Sequence, residues 1–186
     1  MSLILASQSP RRRELLSLFR LPFTVCVPQT DETMDPDLPI RQEVERVSRQ
    51  KALAVPCAPE DTVVAADTVV VCDGKALGKP RDEADALQML QLLSGRSHQV
   101  ITGLCVRRGE KCVSCYEETQ VHFRTLSREE ILEYIRTGEP MDKAGSYGIQ
   151  GGAALFVTGI SGDYYNVMGL PVCRLGQLLK SLEATV

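Results

Sequence analysis

From Thr62 to Cys72 the chain runs Thr-Val-Val-Ala-Ala-Asp-Thr-Val-Val-Val-Cys. Apolar and β-branched side chains fill nearly every position instead of alternate ones, which predicts a strand buried on both faces. Such a strand needs cover above and below, so helices must pack on both sides of its sheet. Asp73-Gly74 follows at once and predicts a tight turn into an antiparallel partner. One ionisable residue, Asp67, stands in the middle of the apolar run.

The rest of the chain supplies that cover. Ser9 offers an N-cap and Pro10 a first helical position, ahead of a stripe of Leu15, Leu16, Leu18 and Phe19. Ile40 to Val55 is amphipathic, with Val44, Val47, Ala52 and Leu53 apolar between charges. Asp82 to Leu93 predicts another helix, closed by Ser94-Gly95, and Ser127-Arg128-Glu129-Glu130 is a capping box opening a helix to about Arg136. Pro171 starts the last helix. Further strands are expected over residues 2–6, 22–27, 99–106 and 111–123, with a hairpin formed by 153–160 and 164–167. The acidic, proline-containing stretch from Asp31 to Pro39 reads as a loop. With no repeat, low-complexity segment or clear linker, the pattern predicts one α/β domain over 1–186. It is built on a long twisted sheet of mixed strand direction with flanking helices.

Composition narrows the function. The formal net charge is -3 and there is no long basic run, so a general nucleic-acid binder is not expected. No stretch reaches the length of a membrane span. The apolar start, Met1 to Ala6, is too short for a signal peptide and its positive charges follow it, so a cytoplasmic location is expected. The seven cysteines then read as reduced thiols, several of them buried.

Arg11, Arg12 and Arg13 crowd the first turn of a helix, where partial positive charge and unpaired N–H groups already reside. An anion docking there relieves the repulsion, and phosphate suits both the N–H groups and the guanidinium forks; the alternative is a solvated basic turn. Asp67 is costly in its strand unless a cation or metal pairs with it, or backbone N–H groups or a buried lysine satisfy it structurally. Lys51 lies late in a helix, and Lys79 sits in a rigid Gly78-Lys79-Pro80 segment. Asp31-Glu32 is either a solvated acidic pair or a Mg²⁺ ligand pair. The loop Gly145-Ser146-Tyr147-Gly148-Ile149-Gln150-Gly151-Gly152 allows close approach to a ligand but matches neither a Walker loop nor a dinucleotide fingerprint. Cys112-Val113-Ser114-Cys115 has redox or zinc spacing without a second pair, and His98 and His122 fit no metal motif and read as polar strand residues.

Together the segment Leu5 to Leu16, Ala66-Asp67-Thr68-Val69-Val70, Gly78-Lys79-Pro80, Ser94 to Val100, Asp142 to Gly151 and Gly169-Leu170-Pro171 resemble, in order, the Maf (septum-formation-inhibitor-like) nucleotide pyrophosphatases. The resemblance implies a two-lobed α/β fold with a central cleft, often dimeric. It implies hydrolysis of nucleoside triphosphates between the α and β phosphates with a divalent metal, Mg²⁺ or Mn²⁺. The family's catalytic aspartate falls on Asp67 and its charged pocket residues on Arg12, Glu32, Lys51 and Lys79; Ser7, Ser9 and Arg12 are the expected phosphate-binding residues. Glu32 and Asp67 are the implied metal ligands. Arg11, Thr68 and Gln150 fall on the positions that separate subfamilies, and they resemble the branch acting on dTTP and UTP; the 7-methyl-GTP branch typically has Trp, Gln and Glu there. One departure is Gln50 before Lys51, where the family usually has an acidic residue.

In this reading Asp67 activates a water, directly or through the metal, Arg12, Lys51 and Lys79 stabilise charge shifting onto pyrophosphate, and Gln150 reads the O4 and N3 edge of the base. Two other functions compete with it. One is a nucleotide-binding regulator of cell division that does not hydrolyse; the other is a pyrophosphatase for 7-methyl-GTP or another modified nucleotide.

Overall fold

The computed structural model describes residues 2–35 and 37–183. In chain order the elements are β1 (Leu3–Leu5), α1 (Pro10–Ser17), β2 (Phe23–Val25), α2 (Ile40–Leu53), β3 (Thr62–Cys72), β4 (Lys75–Leu77), α3 (Glu83–Leu93), β5 (Ser97–Arg108), β6 (Lys111–Phe123), α4 (Arg128–Arg136), β7 (Val157–Ser161), α5 (Tyr164–Met168) and α6 (Val172–Glu183). The strands make one seven-stranded sheet in the order β2-β1-β3-β5-β6-β7, with β4 also pairing β3. Its direction is mixed. β1 is parallel to both β2 and β3, with Leu3 opposite Phe23 and Thr62, whereas β4 is antiparallel to β3 and β7 to β6. No helix among the described residues is long and apolar enough to cross a membrane.

The apolar run behaves as expected: every residue of β3 except Thr68 is buried. Asp73 (φ 51°) and Gly74 (φ 74°) both take left-handed geometry, the combination that matches hairpin turn to strand twist. The chain divides into two compact units, one drawn from Met1–Asp67, Thr102–Glu117 and Gly169–Val186, the other from Thr68–Ile101 and Glu118–Met168.

In the first unit, Ile4, Ala6, Ala52, Val55, Val63, Ala65 and Cys105 form one cluster, with Cys26, Cys57 and Cys112 packed against it. Fully burying a Val or Ile here is worth about 1.5–3 kcal/mol, so such a cluster anchors β1, β3 and α2 together. Ser9 caps α1 by accepting from the Arg12 backbone N–H. The helix is shorter than its apolar stripe suggests. It ends at Ser17, Arg20 turns left-handed (φ 56°), and Leu18 is exposed. Cys112 places its Sγ within 3.1 Å of Cys105, and burial pushes the Cys105 thiol well above its ordinary pKa. A thiol so placed is an inert core group.

In the second unit, Ala86, Leu90 and Leu93 of α3 and Ile131, Tyr134 and Ile135 of α4 are buried. The capping box forms as read, with Ser127 and Glu130 satisfying each other's backbone N–H groups. The hairpin expected over 153–160 and 164–167 does not form. Residues Gly152–Leu155 make a 3₁₀ turn, only Val157–Ser161 is a strand, and Tyr164–Met168 is a helix. The aromatic pair Tyr164-Tyr165 favours a strand, but the Asp163 carboxylate accepts from the Tyr165 backbone N–H at 2.8 Å and opens a helical turn instead. Asn166 then anchors that turn, donating to the Val100 carbonyl and to Thr119 Oγ1, both at 3.0 Å.

His98 is on a strand but is a core residue, 2% exposed. Its Nε2 pairs with the Tyr147 hydroxyl at 2.7 Å, and it meets Phe123 edge-on at 4.9 Å, while Nδ1 has no partner. Burial, assisted by His122, lowers its pKa from 6.5 to about 4. The unfolded chain therefore takes up a proton below pH 6.5 that the folded chain refuses until about 4. Stability contributed by neutral His98 is complete above that window, falls as pH drops through it, and loses about 3 kcal/mol in all. Urea unfolding between pH 7.5 and 4 is expected to show this extra loss in the wild type and not in His98→Gln; parallel curves for the two would rule it out.

Candidate active site

The charged residues singled out in the sequence meet through ordinary helix and strand geometry. Val44, Val47, Ser48 and Lys51 recur at helical spacing on α2, and all four are buried. Lys51 is thus committed to the inward face, where an ammonium must find carboxylates. It finds two. Lys51 Nζ lies 2.8 Å from Asp67 Oδ1 and 2.9 Å from Glu32 Oε2. The Lys51 and Asp67 side chains are 8% and 12% exposed, whereas Glu32 is 56% exposed and reaches in from its loop. The reading of Asp67 as a carboxylate satisfied by a buried lysine is therefore met.

Arg12 stands beside this trio. Its Nε donates to the Gly169 carbonyl at 2.7 Å, and one terminal nitrogen lies 3.4 Å from Ser7 Oγ. Ser7 is buried, and its hydroxyl also accepts from the Ser9 backbone N–H at 3.2 Å. The guanidinium plane is thus set by a backbone carbonyl and a hydroxyl at the helix start. Arg12 is half-buried by area, yet its head is packed closely enough that desolvation lowers its pKa below the ordinary arginine value. Asp67 and then Glu32 pull it back up, and Arg11 adds to the lowering, so these charges share one field. Arginine remains charged throughout. Arg11 is half-buried and Arg13 exposed.

The acidic pair splits. Asp31 turns to its own loop, accepting from the Thr33 backbone N–H at 2.9 Å, and the Thr33 side chain and then that N–H hold its carboxyl below the usual range, while Glu32 joins Lys51. Behind that loop is a clamp the sequence reading missed. Glu43, 1% exposed, accepts from the Asp35 backbone N–H at 2.6 Å and from Arg46 at 2.7 Å, and Arg46 donates to the Thr33 carbonyl at 2.9 Å. Its signal was the helical spacing: Glu43 precedes Val47 by four positions and so shares the buried face.

Thr68, Lys79 and Gln150 belong to the second unit and are placed by its own contacts. Thr68 follows Asp67 in β3 and is half-buried. Lys79 and Gln150 are exposed. The Gly78 carbonyl accepts from the Gly145 N–H at 3.0 Å, which ties the Gly-Lys-Pro segment to the glycine-rich loop. Gly145 is left-handed (φ 68°), and a Cβ there would press on the Val70 side chain at 2.7 Å.

Among the described residues no group of three or more His, Cys, Asp or Glu side chains is arranged to hold a metal. Asp67 and Glu32 nevertheless converge on a single cation, the Lys51 ammonium. One or two carboxylates completed by other oxygen donors are the usual protein ligands for Mg²⁺, so the residues present fit such a cation.

The family pattern described as Maf-like protein matches residues 2–182. The chain belongs to the Maf family. This Maf chain is 55% identical over 179 residues to a dTTP/UTP pyrophosphatase of Symbiobacterium thermophilum, covering 95% of this chain and 92% of the relative. It is 50% identical to proteins of the same name from Bacillus cytotoxicus (97% and 95% covered) and Chlorobaculum parvum (97% and 94% covered). Among solved structures, a HAM1 protein from Coxiella burnetii aligns with 97% of the Maf chain and 99% of its own, at 13% identity and a TM-score of 0.49, a likeness that adds nothing to the assignment.

Proposed function

We propose that this Maf chain hydrolyses dTTP and UTP, and pyrimidine triphosphates sharing their base edge, to the monophosphate and pyrophosphate. The observation that carries this reading is the Lys51 ammonium bridging Asp67 and Glu32 beside an oriented Arg12. Relatives 50–55% identical bear the name dTTP/UTP pyrophosphatase.

A water attacks the α-phosphorus in line. The bond from that phosphorus to the α–β bridging oxygen breaks, its electron pair leaves with pyrophosphate, and the water's proton passes to Asp67. Lys51 engages Asp67 Oδ1, which fixes the carboxylate and leaves Oδ2 to take the proton. Arg12, held by Gly169 and Ser7, binds phosphate, with the hydroxyls of Ser7 and Ser9 at the same helix start. Lys79 adds positive charge for the departing pyrophosphate. Asp67 and Glu32 would hold Mg²⁺ or Mn²⁺, which would supply neutralising charge for the phosphates. Gln150 selects the base: its amide donates to O4 and accepts from N3–H, a pattern that cytosine reverses. Arg11 and Thr68 complete the discrimination.

Pyrophosphate release measured on dTTP, UTP, CTP, 5-methyl-UTP, pseudo-UTP and 7-methyl-GTP tests the reading. Uracil and thymine nucleotides are expected to exceed CTP and 7-methyl-GTP in kcat/KM by about tenfold or more. Preference for 7-methyl-GTP would reverse the specificity, and release of orthophosphate would reverse the bond assignment.

A further inference from the structure

Gln150 stands exposed on a turn closed by the Gly151 N–H donating to the Gly148 carbonyl at 3.1 Å. A flexible glycine turn is a poor place for a group that must discriminate one base edge from another. Both ends of this turn are held from α4 and the segment that follows it. The buried Tyr134 hydroxyl accepts from the Gly148 N–H at 3.1 Å and donates to Glu139 Oε1 at 2.9 Å. The other oxygen, Glu139 Oε2, accepts from the Gly152 N–H at 3.0 Å. Lys143 donates to the Glu139 carbonyl at 2.6 Å, so the segment bearing the carboxylate is itself held.

The fit is close enough that a side chain on either glycine would push the Glu139 carboxylate or the Lys143 stem aside. A Cβ on Gly151 would lie 2.1 Å from Glu139 Oε1, and one on Gly148 would lie 2.6 Å from Lys143 Cε. The glycines on either side of Gln150 thus serve contact with Glu139 and Lys143. Nothing in phosphate chemistry calls for Tyr134 or Glu139, which reach the turn only through its backbone.

We propose that Tyr134 and Glu139 are positioning residues for base selection, bracketing the Gln150 turn through the Gly148 and Gly152 amides. The proposal rests on the reading that Gln150 recognises the base. Neither residue touches the reacting phosphates, so their loss acts on KM and on discrimination, not on the chemical step.

The test is kcat and KM for UTP and CTP in Tyr134→Phe, Glu139→Ala, Glu139→Gln, Gln150→Ala and the Tyr134→Phe/Gln150→Ala double variant, with a melting temperature for each. Tyr134→Phe keeps the ring that packs on Phe156 at 5.1 Å and removes only the hydroxyl. It is expected to raise the KM for UTP about tenfold with kcat within about twofold, and to cut the UTP-over-CTP preference to match. Glu139→Ala is expected to do the same, and Glu139→Gln, which keeps an acceptor for Gly152, to recover most of it. The double variant should be no worse than Gln150→Ala alone, because the bracket matters only through that side chain. Loss of preference in Gln150→Ala but not in Tyr134→Phe overturns the positioning role, as does an equal loss on both nucleotides through kcat. An unchanged preference in Gln150→Ala overturns the base-recognition reading and this proposal with it, and that arm alone tells the two failures apart.

Discussion

Asp67→Asn is expected to abolish pyrophosphate release to within about 10²–10⁴-fold below the wild-type rate while nucleotide binding persists. The substitution keeps shape and a hydrogen-bond acceptor, so Lys51 Nζ, now 2.8 Å from Oδ1, can still donate to the amide oxygen. Glu32 remains at 2.9 Å to balance the buried ammonium, and gross unfolding is not expected. What disappears is a group able to take a proton from water and a negative charge able to share a divalent cation. Asp67→Ala would be a poorer probe, because it removes the hydrogen bond at 2.8 Å and leaves the buried Lys51 to Glu32 alone, which mixes a packing and desolvation cost with the loss of chemistry. Steady-state pyrophosphate release beside calorimetric titration with UTP separates the outcomes. Turnover at the wild-type rate would remove Asp67 from the chemistry. A wild type that binds but releases no pyrophosphate would favour the non-hydrolysing regulator.

Gly103→Ala is expected to destabilise the fold by about 3 kcal/mol or more. Gly103 lies within β5, where α2 crosses it: a Cβ there would sit 2.0 Å from the Val44 carbonyl oxygen and 2.7 Å from the Glu45 nitrogen. Both are backbone atoms of a helix, so no rotamer change relieves the overlap and α2 itself must move. Because α2 carries Lys51 and the Glu43–Arg46 clamp, activity should fall along with stability. Urea unfolding followed by circular dichroism gives the change directly. At Gly78, where a Cβ would meet nothing within 4 Å, the same substitution is the control and should be nearly neutral. Equal stability of the two variants would show that α2 and β5 are not in the close contact described.

Much of this was readable beforehand because local patterns agree with the tertiary answer. The run from Thr62 to Cys72, the Asp73-Gly74 turn, the Ser9 cap and the Ser127–Glu130 box each depend on near neighbours in the chain and formed as read. The misreadings occur where distant partners intervene. Tyr164 to Val167 has strand-favouring aromatics, yet Asp163 and the Asn166 contacts to Val100 and Thr119 bend it into a helix. His98 is the strand residue it was read as, but its enclosure by Tyr147 and Phe123 also depends on distant partners. Glu43 looks like one more surface charge on an amphipathic helix until Asp35 and Arg46 are seen to close on it.

The sequence alone determined most of the elements, the mixed α/β class and the residues that bear charge, because periodicity, capping and motif order are properties of short segments. It also placed Lys51 implicitly, at helical spacing from Val44 and Val47. Only the tertiary structure decided that Lys51 joins Asp67 to Glu32 and leaves Asp31 to its loop. It alone placed the Arg12 Nε on Gly169, and it alone bracketed the Gln150 turn with Tyr134 and Glu139. Those pairings span long separations in the chain, and desolvation makes buried charges and amides accept whichever partner the packing brings within reach.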